Sequence, residues 1–216
     1  MKKSYLFLIA AMMMAVVTGA SAQDDEKKFG IHVGLNMSNV SISGGDLGGH
    51  SPSWTLGYLG GINYDAPIAG PVYIFSAIDL VQKGFKIKDE ASHHSTTLTY
   101  APLFGQFTLH AGVKLDAGFG KIIAHAGPYV AYGFAGKATS KFTYDGETET
   151  ESEDIYGEDG VYKHLDYGLG LAAGVELGSI VVQLGYDHGF ANLIDNDGED
   201  FSVKSKSLYL TVGYKF

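Results

Sequence analysis

Residues 165–177 read LDYGLGLAAGVEL. Leu165, Tyr167, Leu169, Leu171, Ala173, Val175 and Leu177 alternate with Asp166, Gly168, Gly170, Ala172, Gly174 and Glu176. Side chains on a β-strand point to opposite faces in turn, so this stretch is a strand with one oily face and one small or polar face. The same alternation returns on either side of it. Ile180, Val182, Leu184 and Tyr186 oppose Gln183, Gly185 and Asp187; Leu208, Leu210, Val212, Tyr214 and Phe216 oppose Tyr209, Thr211, Gly213 and Lys215. Near the start, Phe29, Ile31, Val33, Leu35 and Met37 oppose Gly30, His32, Gly34, Asn36 and Ser38. No stretch after residue 22 carries a sustained helical repeat with caps.

Two architectures fit such strands. In a water-soluble barrel the oily face turns inward and is packed by the opposite wall. In a membrane barrel it turns outward to lipid. Glycine decides between them: a solvated exterior favours Lys, Glu and Thr, whereas small residues let a narrow lumen close around a few polar groups. The chain has 30 glycines and 5 prolines.

Eight strands are expected, at about residues 28–40, 53–65, 71–84, 96–112, 120–137, 164–177, 179–190 and 205–216. Pro102 and Pro128 interrupt the fourth and fifth, whose phase can be drawn either way. The connections 41–52, 85–95, 138–163 and 191–204 are long and polar, while 66–70, 113–119 and Gly178 are short. Strict sorting into long and short connections, with an even strand count, is the signature of an outer-membrane barrel with periplasmic termini and external loops. Aromatic residues such as Trp54, Tyr58, Tyr132 and Phe134 fit headgroup-level girdles, although β-propensity alone also enriches them in sheets. The fold expected is an eight-stranded antiparallel up-and-down transmembrane β-barrel over residues 23–216.

Residues 1–22 read as a cleaved signal peptide. Lys2 and Lys3 precede a twelve-residue apolar run, Leu6 to Val17, and Ala20-Ser21-Ala22 supplies a small-residue cleavage site. The run is well short of the roughly 20 residues a membrane-spanning helix needs. Its removal takes two lysines and no acids, and the formal charge goes from −9 to −11. That balance excludes a nucleic-acid partner, since phosphate binding needs a basic face. Every basic residue is lysine, and there is no cysteine, so disulfides, thiolate metal sites, cysteine nucleophiles and a lipoprotein anchor are all excluded.

With these strands in hand, the chain resembles the PorT-like outer-membrane β-barrel proteins, often grouped as porin-family barrels. The matching stretches run in order: FGIHVGLNMSN at 29–39, YAPLF at 100–104, AGPYVAYG at 126–133, DYGLGLAAGVE at 166–176, LGYDHGFANL at 184–193 and SLYLTVGYKF at 207–216. The closing Tyr214-Lys215-Phe216 is similar to the C-terminal signal read by the outer-membrane barrel assembly machinery. The resemblance implies an outer-membrane location and a barrel, with outer-membrane lipids and that machinery as partners, and no chemical activity.

Function then rests with the loops and the lumen. Asp145, Glu147, Glu149, Glu151, Glu153 and Asp154 crowd one stretch without a lysine. This reads as a solvated, self-repelling loop, and its hard oxygens also make it the candidate for weak Ca²⁺ or Mg²⁺ binding. Asp195 to Asp200 resembles part of a calcium loop but lacks its alternation and its final Glu. On the small-residue face, His32, Asp79, Lys83, Asp166, Glu176, Asp187 and Lys215 are expected to pair across the lumen, with His110 and His125 nearby. An enzyme of the outer rim would need a nucleophile, a base and an acid; Ser92, His93, His94 and Ser95 approach this without completing it. No pattern demands a cofactor, a metal centre or a catalytic set. Eight strands leave no room for an aqueous channel. The expected role is therefore non-catalytic, structural or loop-mediated. A lipid-modifying enzyme or a soluble periplasmic lipid-binding barrel stands as the alternative.

Overall fold

The computed structural model describes residues 28–44, 51–91, 94–144, 147–156, 162–194 and 201–216. It contains ten strands: β1 (Phe29–Ser43), β2 (Thr55–Ala69), β3 (Val72–Gln82), β4 (Phe85–Ala91), β5 (His94–Asp116), β6 (Lys121–Tyr144), β7 (Glu147–Asp154), β8 (Leu165–Leu177), β9 (Ile180–Gly189) and β10 (Ser202–Lys215). All pairings are antiparallel. Eight strands form a closed ring in the order β1-β2-β3-β5-β6-β8-β9-β10, sealed by β1 against β10 from Gly30↔Lys215 to Ser43↔Ser202. This is the expected barrel, and closure leaves the ring no free edge. The expected signal peptide, residues 1–22, lies outside the described residues.

The remaining two strands correct the sequence reading. Segments 85–95 and 138–163 were expected to be long loops. Instead, β4 pairs along the outer half of β5, from Phe85↔Tyr100 to Ala91↔His94, and β7 pairs along the outer half of β6, from Lys137↔Asp154 to Tyr144↔Glu147. Strands β5 and β6 run on together to His94↔Tyr144. The four strands β4-β5-β6-β7 thus form a wall that rises beyond the ring. Its residues are mostly Thr, Ser, Lys and Glu, so the sequence shows no oily face. Pairing to strands already anchored in the barrel supplies the order that apolar burial supplies elsewhere.

The two prolines sit inside strands. Pro102 faces inward opposite Gly136, and its carbonyl accepts from the Lys83 amide at 3.0 Å. Next to it, Leu103 pairs with Ala135 and Phe104 with Gly133, leaving Phe134 as the extra residue of a bulge. Pro128 faces outward opposite Leu169. The short connections 70–71, 117–120 and 178–179 share the end away from the wall. Gly178 turns the β8–β9 hairpin at φ 65°, a left-handed conformation that glycine adopts without strain.

The alternation seen in residues 165–177 is the alternation of the wall of the barrel. Leu171 is 56% exposed and its neighbour Ala172 is 3% exposed. Ile31, Val33, Leu35, Leu56, Ile62, Ile78, Leu80, Leu184, Leu210 and Val212 are likewise exposed. Asn36, Ser38, Asp65, Gln106, Asp166, Asp187 and Thr211 are buried. The oily face is the outside and the polar face the inside, the inverse of a soluble barrel.

Candidate functional site in the lumen and the outer wall

Each lumen side chain comes from the polar face of a strand, so the ring brings together residues far apart in sequence. Beneath the wall, Lys83 follows the end of β3 and reaches Asp166 of β8 at 2.9 Å. The same carboxylate accepts from Ser205 at 2.8 Å and from Tyr129 at 3.3 Å, and the Lys83 ammonium lies 4.5 Å from the Tyr129 ring centre. Asn36 and Ser38 of β1 hold the break between β3 and β4. Asn36 donates to the Gln82 carbonyl at 2.9 Å, and the Gly84 amide donates to Ser38 at 2.6 Å.

At the opposite end, Lys114 and Lys215 share two carboxylates. Lys114 lies 3.0 Å from Asp65 and 3.2 Å from Glu176, while Lys215 lies 2.7 Å from Glu176 and also contacts Asp65. Among the described residues, these contacts engage all three buried lysines. The other two buried carboxylates take weaker partners: Asp79 pairs with His32 at 2.7 Å, and Asp187 accepts from Gln106 at 2.9 Å. Between the two lysine clusters, His110 and His125 meet through their Nδ1 atoms at 2.8 Å, and His125 contacts Gln183 at 3.2 Å. A cavity of about 80 Å³ lies in this middle zone, lined in part by Asp79, Gln106, Asp187, Asn36 and Ser207. It is polar and large enough for a few waters. Paired polar side chains thus occupy the bore on either side of this cavity.

Above Lys83 the lumen turns apolar. Val40, Phe85, Phe104, Ile155, Tyr162, Leu193 and Val203 form one buried cluster. Burial raises the phenols of Tyr156 and Tyr162 above their ordinary range, which keeps both neutral.

Glycines set how close these side chains come. Tyr209 stands opposite Gly185, and a Cβ at Gly185 would overlap its ring. Gly185→Val is therefore expected to cost about 1–3 kcal/mol through overpacking. Urea unfolding of the refolded barrel in lipid vesicles measures it, and adding Tyr209→Ala should recover part of the loss. An unchanged midpoint for the single variant would show that the ring has room to move.

A closed antiparallel ring, oily without and charge-paired within, accords with what comparison finds. The model of the outer membrane protein beta-barrel domain family matches residues 21–195. The chain belongs to this family. No curated protein sequence matches the chain. Among solved structures, Ail of Yersinia pestis is 16% identical, with 88% of this chain and 99% of that chain covered and a TM-score of 0.39. Neisserial surface protein A is 16% identical over 87% and 97%, at 0.37, and OprG of Pseudomonas aeruginosa 12% over 88% and 96%, at 0.33.

In this outer-membrane β-barrel protein, the seven lumen residues singled out from sequence all point inward, but in separate groups: Lys83 with Asp166, Lys215 with Glu176, His32 with Asp79, and Asp187 with Gln106. Asp65 and Lys114 complete the lower cluster and were missed. Asp65 closes the expected strand 53–65 in the phase of Asn63 and Gly61 and was passed over, whereas Lys114 sits in a segment expected to be a turn, and continuing that strand by two residues would have found it. The acidic stretch is a strand. Glu149, Glu151 and Glu153 occupy alternate positions of β7 opposite Phe142, Ser140 and Ala138. Glu147 shares that register, Asp154 points the other way, and Asp145 lies outside the described residues. Among the described residues no group of three acidic, histidine or cysteine side chains could hold a metal. Ser92, His93 and Asp195 to Asp200 also lie outside the described residues.

Proposed function

We propose that the protein is a non-catalytic component of the cell envelope, of the PorT-like kind, whose barrel anchors the β4-β5-β6-β7 wall on the outer surface. Export removes residues 1–22, the assembly machinery reads the terminal Tyr214-Lys215-Phe216, and both termini stay on the periplasmic side. The observation that carries this reading is the division of labour in the fold. The bore is occupied largely by ion-paired and hydrogen-bonded side chains, which suits anchoring, and the longest strands are extended to build a polar sheet beyond the membrane band. Such a sheet is a binding surface for other envelope components.

The test is topological. The chain has no cysteine, so Thr150→Cys on β7 gives a single reporter thiol. The protein is expected in the outer-membrane fraction, migrating faster on a gel before boiling than after, with the introduced thiol reacting with an impermeant maleimide on intact cells. Recovery from the periplasm, or labelling only after lysis, would overturn the reading. An acyl-transfer or lipase activity in the purified barrel would favour the lipid-modifying alternative.

A further inference from the structure

The wall sorts its charges by face. On β4, Phe85 is buried and Ile87 packs against the apolar cluster, so Lys86 and Lys88 lie on the other, outward face. On β6, Ala138 packs against the same cluster, which puts Lys137 and Lys141 outward as well. Strand β5, between them, presents Thr97 and Thr99 on that face. The pairings set Lys88, Thr97 and Lys141 on one rung, and Lys86, Thr99 and Thr139 on another. Neighbouring strands are about 4.8 Å apart, so Lys88 and Lys141 flank Thr97 with about 10 Å between their Cα atoms. Long ammonium stems span that gap easily. The glutamates Glu149, Glu151 and Glu153 lie in register with the inward residues of β6. Among the described residues of the wall, two acidic residues share the outward register, Asp154 opposite Lys137 and Glu90 opposite Ser95 at the far end of β4.

This face continues the lipid-facing surface of the barrel. Tyr132 and Phe134, outward and about half exposed, end the oily band on β6, and Lys137 follows three residues later. At a rise of about 3.3 Å per residue, Lys137 lies about 10 Å and Lys141 about 23 Å along the strand beyond Phe134, so the lysines climb away from the oily band on its wall side. At the other end the exposed outward residues, Ile68, Val72, Leu115, Phe119, Ile122 and Ile180, are apolar. The positive face therefore belongs to one leaflet only.

We propose that Lys86, Lys88, Lys137 and Lys141, with Thr97 and Thr99 between them, form a docking site for the phosphate groups of the outer-leaflet glycolipid, lipopolysaccharide. Lysine ammoniums pair with phosphate as point charges, threonine hydroxyls add hydrogen bonds, and an anionic surface concentrates the interaction. A sideways-facing sheet continuous with the lipid band meets its membrane neighbours before any soluble polyanion. The inference rests on the outward placement of the wall proposed above.

The experiment compares the refolded wild type with a variant carrying Lys86→Gln, Lys88→Gln, Lys137→Gln and Lys141→Gln, and with the two double variants of β4 and β6. Binding is measured to lipopolysaccharide, to the same material chemically dephosphorylated, to phosphatidylglycerol vesicles, to heparin and to inorganic phosphate. The wild type is expected to prefer the phosphorylated glycolipid by at least tenfold over its dephosphorylated form. The quadruple variant is expected to lose that preference while keeping heat-modifiable migration, with the doubles in between. If the quadruple variant does not refold, the two doubles decide. Equal affinity of wild type and variants, no discrimination by phosphate, or tighter binding to heparin or vesicles overturns the proposal. External labelling of the Thr150→Cys reporter with no loss on Lys→Gln substitution sinks this inference alone; failed external labelling sinks the topology beneath it.

Discussion

Asp166→Ala is expected to lower the unfolding free energy of the reconstituted barrel by about 3–5 kcal/mol, the usual cost of removing one partner from a buried ion pair. Asp166 is fully buried and serves three donors at once: Lys83, Ser205 and Tyr129. Its loss leaves the Lys83 ammonium 4% exposed among the Phe104 and Tyr129 rings, with no carboxylate in contact. The single tryptophan, Trp54, is about half exposed beside the oily band and reports the transition by its emission during urea titration in vesicles. The double variant Lys83→Met with Asp166→Leu should recover most of the loss, because a matched apolar pair leaves no buried charge. A loss below about 1 kcal/mol for Asp166→Ala would mean that water reaches Lys83.

Leu171→Arg is expected to cost about 2–4 kcal/mol in the same assay, the penalty for a cation at the bilayer midplane on the lipid face of a barrel. Leu171 is mid-strand in β8 and points outward. Thr139→Arg, outward on the wall, should change stability by less than about 0.5 kcal/mol, as a solvated surface site does. Equal responses at the two positions would place Leu171 in water and return the soluble barrel to consideration.

The ring was legible in the sequence because lipid and lumen impose opposite chemistry on alternate residues. Strands β1, β8, β9 and β10 carry that contrast without interruption, so their phase was read correctly. Strands β5 and β6 blurred it. Pro102 and Pro128 fall on opposite faces, and the bulge at Phe134 shifts the phase of everything beyond it. The wall was illegible for another reason: only its base, at Phe85, Ile87, Tyr100 and Ala138, packs on the apolar cluster, so Thr139 to Tyr144 and Glu147 to Asp154 carry no oily stripe. Their order comes from β5 and β6, which the sequence of either segment alone does not contain. In the lumen, residue types revealed who faces inward, but partner choice depends on strand stagger. That is why the phase of β2 and β5 can place Asp65 and Lys114 inside, while their sharing of Glu176 and Lys215 depends on the closed ring.

Closure of the ring by β1 on β10 sets the order of events in the life of the chain. Hairpins such as β8–β9 can form from neighbours, but the seam joins Gly30 to Lys215, nearly the whole described length of the chain apart. Loop closure of that span comes last and slowly. Until β10 arrives, β1 presents bare amides and carbonyls beside Ile31, Val33 and Leu35, a surface prone to stray pairing. Substitutions along the β1–β10 seam would therefore act on the yield of finished barrels more than on their durability once sealed.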